Sequence, residues 1–239
     1  MAGESAERQE TGVVNAINNA IKRGKSVTVL AGKTKISNVN KAYKYTGRQA
    51  SGSEPYTDVV LLSGAKRINL SLKGESAPSL AGGGLRGLEA IIPGIAGKFM
   101  KAAHAQLIKD GLRDGDKVPD VYGKISDTDK VKIVVGNTSM GGPIHYMYIG
   151  PMDVTSEYDA SSKTIKLNGT LTEAKTYAKT HDLFFRLRAR REDQTFDSKA
   201  KDTKGSPKIY GKSPSRGDSA GRIVITSSVP KKAKMVKIK

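Results

Sequence analysis

Two charged residues border neighbouring apolar runs in the stretch TDVVLLSGAKRINLSLKGES, residues 57–76. Asp58 opens the first run and Lys73 closes the second. The turn between the runs predicts a β-hairpin, because Gly64 is free to take a positive φ. With a two-residue loop at this glycine, Asp58 lies opposite Ser71. Asp58 and Lys73 then come within diagonal reach on one face of the hairpin, and a one-residue slip of the register would separate them.

A third charged group comes from an N-terminal segment that predicts an amphipathic helix over residues 10–23, with Gly24 as a stop signal. The apolar stripe of this helix consists of Val13, Val14, Ile17 and Ile21. Glu10 is seven residues before Ile17, which brings it back to within about 20° of the same direction. Its carboxylate therefore emerges from the apolar stripe, where it needs a partner.

A divalent cation would satisfy both carboxylates. Hard cations prefer oxygen ligands, so Glu10, Asp58 and the backbone carbonyl of Leu72 are suitable ligands for Mg²⁺ or Mn²⁺. Such a metal lowers the pKa of bound water, and Lys73 could orient the attacking water or contact a phosphate. Two alternatives stay open: Asp58 and Lys73 form an ion pair on a solvated strand face, and Glu10 is a helix-start carboxylate favoured by the helix dipole.

The elements that would position these residues alternate between helices and strands. Strands are predicted in the hairpin and at residues 27–30, 35–39, 131–135, 144–149, 164–171, 183–189 and 222–227. Helices are predicted at residues 10–23, within 80–109 and at 173–179. This order is typical of a mixed α/β domain.

The charge of the chain predicts a polyanionic partner. Its 239 residues include 41 Lys and Arg but only 23 Asp and Glu, a formal net charge of +18. Nucleic acid is favoured over a membrane surface, because phosphate backbones bind basic patches through counterion release. The alternative is a charge excess that serves only solubility.

Half of this excess lies in the last part of the chain. Residues 196–239 carry 12 Lys and Arg and 3 Asp, a net charge of +9, in a polar sequence punctuated by Gly and Pro. We therefore expect a nuclease-like α/β domain over residues 1–195 and a basic, partly disordered segment over 196–239 with one strand at 222–227. Its lysines are candidates for a nucleic-acid-binding arm: Lys231, Lys232 and Lys234.

A strand with the sequence LFFRLRARR places three arginines on one face: Arg186, Arg188 and Arg190. Three guanidinium groups in a row suit contacts with phosphates, and the alternative is a solvated strand face.

Several classes of protein are excluded or disfavoured. The chain has no cysteine and only three histidines, which argues against disulfides, thiolate chemistry and zinc sites. No apolar run approaches the length of a membrane span, so we expect a cytoplasmic protein. The stretch AGKTK is not a Walker A motif, because Val27 stands where the first glycine is required.

Asp58 in PYTD, the short hairpin and the run Ser71-Leu72-Lys73 together resemble the core of the PD-(D/E)xK nuclease superfamily. The upstream helical Glu10 is similar to that of its Holliday-junction-resolvase-like and phage-encoded members. The resemblance covers residues 10–111. It implies a restriction-endonuclease-like mixed β-sheet flanked by helices, DNA cleavage that depends on Mg²⁺ or Mn²⁺, and a location in the host cytoplasm or the virion. A homodimer is an option, because many double-strand cutters work as dimers.

The sequence departs from the family at Ser71, where an Asp or Glu is usual. The resemblance then implies a substitute acid from a neighbouring element, and Glu75 or Glu89 could supply it, as a catalytic or metal-binding carboxylate. Without such an acid the site would be degenerate. The alternative function is therefore a noncatalytic nucleic-acid-binding or virion-associated phage protein on a nuclease scaffold.

Overall fold

A computed structural model describes residues 2–47, 55–75, 84–189, 192–201, 205, 207–215, 217 and 222–238. The chain divides into two compact units, each made of two separate stretches. The first unit comprises Met1–Pro78 and Val131–Thr180, and the second comprises Ser79–Lys130 and His181–Lys239. This division does not coincide with the boundary expected at residue 195.

The described residues form helices and strands in mixed order. The helices are α1 (Ala2–Gly24), α2 (Gly84–Ile91), α3 (Ile95–Lys109), α4 (Asp127–Val135) and α5 (Ala174–Thr180). The strands are β1 (Val27–Ala31), β2 (Thr34–Lys44), β3 (Val59–Ser63), β4 (Lys66–Gly74), β5 (Val121–Lys124), β6 (Tyr146–Gly150), β7 (Ser156–Asp159), β8 (Thr164–Leu167), β9 (Thr170–Glu173), β10 (Phe184–Arg188), β11 (Arg222–Thr226) and β12 (Lys234–Val236). The predicted class, α/β with a mixed sheet flanked by helices, is confirmed.

The first unit is built on an eight-stranded sheet in the order β7-β8-β1-β2-β3-β4-β6-β9. The pairs β1/β8 and β4/β6 are parallel and the others are antiparallel. In a flat sheet β8 and β9 would be six strand spacings apart, about 29 Å at ~4.8 Å each. Only Asn168 and Gly169 join them, so the sheet must curl. Its inner face packs on α1 through Val13, Ile17 and Ala20.

The helix α1 begins earlier than its apolar stripe suggested. Its buried positions are Gln9, Val13, Ile17 and Ala20, which recur every three or four residues. Because the helix starts at Ala2, Glu10 lies in its third turn. The interpretation of Glu10 as a helix-start carboxylate is therefore wrong, since the dipole effect falls off within the first turn.

The predicted hairpin register is confirmed. Ser63 pairs with Lys66 and Val59 pairs with Leu70, with Gly64 at a φ of +59°. The residues of β4 that face α1 are Ile68, Leu70 and Leu72. The opposite face is not solvated at its centre, because Asn69 and Ser71 are only 3% and 6% exposed.

Two element predictions were wrong for local reasons. Residues 131–135, predicted as a strand from their β-branched side chains, belong to α4. The hydroxyl of Ser126 accepts the N–H of Asp129 at 3.1 Å, an N-terminal cap that the β-branched run obscured. Residues 164–171, predicted as one strand, form two strands, because Gly169 turns the chain at a φ of +143°.

The second unit contains a four-stranded sheet in the order β11-β10-β5-β12. Its core includes Phe99 of α3 and Phe185 of β10, whose ring centroids are 5.5 Å apart. The strand predicted at residues 222–227 is confirmed as β11, which pairs with β10. The expectation of disorder is wrong for part of the segment from 196 onward, because Ile209 and Tyr210 are fully buried.

Candidate active site

Asp58 immediately precedes the first residue of β3. Its N–H donates to the carbonyl of Leu70 at 2.9 Å, and its carbonyl accepts the N–H of Tyr45 at 3.0 Å. Its carboxylate Oδ2 accepts the N–H of Leu72 at 2.6 Å and the hydroxyl of Ser71 at 3.2 Å. The carboxylate thus lies beside β4, next to the first residue of β3.

Lys73 reaches this carboxylate, as the hairpin register predicted. Its Nζ lies 3.6 Å from Oδ2 of Asp58, and the two side chains are 20% and 22% exposed. This distance allows Coulomb attraction but is too long for a hydrogen bond. The ammonium therefore keeps donor capacity for another oxygen.

Glu10 joins the site from α1. Its Oε2 lies 3.3 Å from Nζ of Lys44, at the end of β2. Burial raises the pKa of Glu10, and the negative charge of Asp58 raises it further. The hydrogen bond and the charge of Lys44 lower the pKa of Glu10 but do not restore its usual value. Glu10 and Asp58, 48 residues apart in sequence, are therefore close enough for the charge of Asp58 to disfavour ionisation of Glu10, and we call them the acidic pair.

Gln9, which the sequence interpretation missed, holds the strands that border the site. It is 2% exposed. Its Nε2 donates to the carbonyls of Lys73 at 3.3 Å, Gly150 at 2.8 Å and Pro151 at 3.2 Å. The signal was its place in the buried stripe of α1, four residues before Val13. Lys44 was also missed, because nothing near it in the chain indicates its carboxylate partner.

The residues present fit a hard cation that retains several waters. In a strand the N–H and C=O of one residue point to the same side, so the carbonyl of Leu72 lies on the edge of β4 from which its N–H contacts Asp58. Two carboxylates and one carbonyl suit Mg²⁺, which is usually bound by one or two carboxylates together with water. Across the part of the chain that the structure describes, no group of three or more His, Cys, Asp or Glu could enclose a metal.

The two acids considered as substitutes for a carboxylate at Ser71 lie in different surroundings. Glu75 is exposed. The pKa of Tyr148 is raised to about 12, first by the burial of Tyr148 and then by the negative charge of Glu75. Glu89 belongs to the second unit, and its carboxylate accepts the N–H groups of Gly94 and Ala96, each at 2.7 Å. Glu89 thus ties the end of α2 to the start of α3, which accounts for its carboxylate without a metal.

The arginines of β10 alternate with buried residues as predicted. Arg186, however, is paired with an acid: its Nε donates to Oδ2 of Asp120 at 2.7 Å, and its guanidinium lies 6.0 Å from the centroid of Tyr122. Arg188 is half-buried, and Arg190 lies outside the described residues. The expected row of three phosphate-binding guanidinium groups is therefore reduced, because the charge of Arg186 is already compensated.

The C-terminal lysines also differ among themselves. Lys231 and Lys232 are exposed. Lys234 belongs to β12, which pairs with β5, and its ammonium is hydrogen-bonded to Asp110. The prediction of a free arm is thus wrong for Lys234, because it is part of a sheet.

Comparisons with protein-family models, curated proteins and solved structures found no match to this chain. None of the described helices is both long enough and apolar enough to cross a membrane.

Proposed function

We propose that this protein is a metal-dependent DNA endonuclease of the PD-(D/E)xK type that hydrolyses phosphodiester bonds. The supporting observation is that Asp58 lies 3.6 Å from Lys73 and is close enough to Glu10 for its charge to raise the pKa of Glu10, although the three residues are far apart in the sequence. This arrangement lowers the free energy of unfolding, because burial and the charge of Asp58 both disfavour the ionised form of Glu10. A carboxylate whose pKa is raised by burial and by a charged neighbour, as that of Glu10 is, is typical of functional sites.

Glu10, Asp58 and the carbonyl of Leu72 would hold the Mg²⁺ ion. When bound, the ion supplies an activated water and neutralises charge on the phosphate. Lys73 is placed to hydrogen-bond a phosphate oxygen or the attacking water, since its ammonium is not committed to Asp58. Ser71 donates to Asp58 and so orients the carboxylate. DNA is the proposed substrate because the chain carries a net charge of +18.

Digestion of supercoiled plasmid tests this proposal. The wild type should nick or linearise the plasmid with Mg²⁺ or Mn²⁺ but not with EDTA. The variants Asp58→Asn and Lys73→Met should each lose activity by about a hundredfold or more. The control is Asp182→Asn, which removes an equal charge from an exposed ion pair with Lys124, and it should cut normally. Full cleavage by Asp58→Asn, or none by the wild type with either metal, would refute the proposal.

One observation favours a second candidate, a noncatalytic DNA-binding protein on the same scaffold. A serine stands where the third acid of the family is usual, and no third acidic ligand was found among the described residues. Thermal unfolding with Mg²⁺ separates the two candidates. In the first, Mg²⁺ raises the Tm of the wild type but not of Asp58→Asn; in the second, neither Tm changes although DNA still binds.

A further inference from the structure

Arg67 of β4 is an exposed guanidinium that is held in a defined position. It lies over the ring of Tyr45, 5.2 Å from the centroid, and its Nε donates to Oδ1 of Asn69 at 2.9 Å. Asn69 is buried, and its amide donates in turn to the carbonyl of Pro143 at 2.9 Å. The orientation of the guanidinium therefore depends on a buried side chain and an aromatic ring. None of the described residues hydrogen-bonds its two terminal nitrogens.

The surroundings of Arg67 are positively charged. Among the residues that the structure describes, none with a carboxylate forms an ion pair with Arg67, and the adjacent Lys66 is exposed. His145 is near both cations, and its Nδ1 accepts the N–H of Asn69 at 3.0 Å. Its pKa is lowered by burial and then by the charges of Lys66 and Arg67. A neutral imidazole and two cations favour an anion here.

Tyr45 connects this cationic position to the candidate active site. Its backbone N–H donates to the carbonyl of Asp58 at 3.0 Å, so the ring beneath Arg67 belongs to a direct neighbour of the acidic pair. The preceding residue is Lys44, which contacts Glu10. Arg67 and Lys73 lie on the same face of β4, six residues or about 20 Å apart along the strand, a span that an extended polyanion can cover.

We propose that Arg67, stacked on Tyr45, is a phosphate clamp that binds the DNA backbone on the face of β4 that also carries Lys73. The inference rests on the proposed function for DNA as the occupant. The planar guanidinium presents a fork of N–H donors that matches two phosphate oxygens, which a lysine ammonium does not. Because the side chain is already oriented, little conformational freedom is lost when the phosphate binds.

Fluorescence anisotropy with a labelled DNA duplex, in EDTA so that no cleavage occurs, tests the clamp. Arg67→Ala should weaken binding about tenfold, as expected for one charge-assisted hydrogen-bonded contact. It should also lower the slope of log K against log salt by about 0.9. Arg67→Lys should recover part of the slope but not the affinity. The matched control is Arg23→Ala, because Arg23 also lies over a tyrosine, 5.8 Å from the ring centroid of Tyr158, at the far end of α1.

Equal losses of DNA affinity for Arg67→Ala and Arg23→Ala would overturn the clamp, since any surface cation would then contribute as much to binding as Arg67. Full affinity in Arg67→Lys would also overturn it, because the planar fork would be unnecessary. A competition titration with polyglutamate adds a third criterion: if the Arg67 contribution is equally large for this polymer, the contact is not specific for phosphate. The assay is independent of the proposed catalysis. Arg67-dependent binding without cleavage refutes only the nuclease, and cleavage with unchanged binding by Arg67→Ala refutes only the clamp.

Discussion

Two aspartate–cation pairs, one in each unit, have similar exposure and different arrangements. In the first unit, Nζ of Lys73 lies 3.6 Å from Asp58, and burial together with the charge of Asp58 raises the pKa of a second acid, Glu10. In the second unit, both the Nε and a terminal nitrogen of Arg186 contact Oδ2 of Asp120, and the guanidinium lies over a tyrosine ring. The side chains are 20–22% exposed in the first pair and 31–34% exposed in the second.

The difference between the pairs indicates what each is for. The Asp120–Arg186 pair forms good hydrogen bonds and compensates its own charge, which is how an ion pair contributes to stability. The Asp58 site combines two acids with two lysines. Glu10 keeps a raised pKa despite Lys44, which costs stability, and Lys73 is not hydrogen-bonded to Asp58, which leaves its ammonium ready for a ligand. A cation that is hydrogen-bonded to its acid is therefore structural, and a cation of similar exposure that is not is a candidate for chemistry.

The strongest test of this comparison exchanges the two cations for methionine. Lys73→Met should reduce plasmid cleavage by about a hundredfold or more, with little change in the free energy of unfolding. Arg186→Met should cut normally but lose about 1–2 kcal/mol of unfolding free energy, since a charge-assisted contact is removed. Cleavage assays and urea denaturation measure the two effects. The comparison fails if both variants change the same property.

A second prediction concerns the support of the Asp58 site. Gln9→Leu removes the donor to three carbonyls, of which that of Gly150 is bonded at 2.8 Å. We expect a loss of about 1–3 kcal/mol in unfolding free energy, because buried carbonyls are left without a partner. Denaturant unfolding measures it, with Arg8→Leu as a control, since Arg8 is its exposed neighbour on α1. A loss no larger than that of the control would show that Gln9 does not hold the strand ends.

A third prediction uses the sign of two pKa changes. The pKa of Glu10 is raised, so its ionised form opposes folding; Glu10→Gln should stabilise the protein at neutral pH. As the pH falls, the folded state takes up this proton first, and the advantage of the variant should disappear toward pH 4.5.

Asp159 provides the opposite case for the same measurement. Hydrogen bonds from Ser161 and Ser162 lower its pKa to about 2. Asp159→Asn should therefore destabilise the protein at neutral pH, with the difference lost as the pH falls from 3.8 toward 2. Urea titrations at a series of pH values measure both variants. If Glu10→Gln destabilises the protein at neutral pH as Asp159→Asn does, the ionised form of Glu10 does not oppose folding.

The smallest expected effect distinguishes the C-terminal lysines. The double variant Lys231→Ala, Lys232→Ala should lower the salt slope of DNA binding by up to about 1.8, with unchanged unfolding free energy, because both side chains are exposed. Lys234→Ala should instead lower the stability by about 1 kcal/mol or less, because its partner is Asp110. Anisotropy titrations and urea unfolding give the two measurements. An unchanged slope in the double variant would remove the tail from the DNA-binding surface.

The sequence by itself determined the local geometry of the site. The two-residue turn and the alternation of side chains placed Asp58 opposite Ser71, and helical periodicity predicted that Glu10 emerges from the apolar stripe, where it is half-buried. These predictions succeeded because each depends on neighbours along one strand or helix. The same local rules failed for residues 131–135, where a helix cap at Ser126 outweighed a run of β-branched residues.

Only the tertiary structure decided which charges are compensated. Asp120 is 66 residues from Arg186 and Asp110 is 124 residues from Lys234, so no spacing in the sequence could indicate these pairs. The same applies to Gln9, whose acceptors lie 64 to 142 residues away. Whether a charged or polar side chain is satisfied depends on which distant segments the fold brings beside it. That is the property that separates the Asp58 site from the paired arginine and lysine of the second unit.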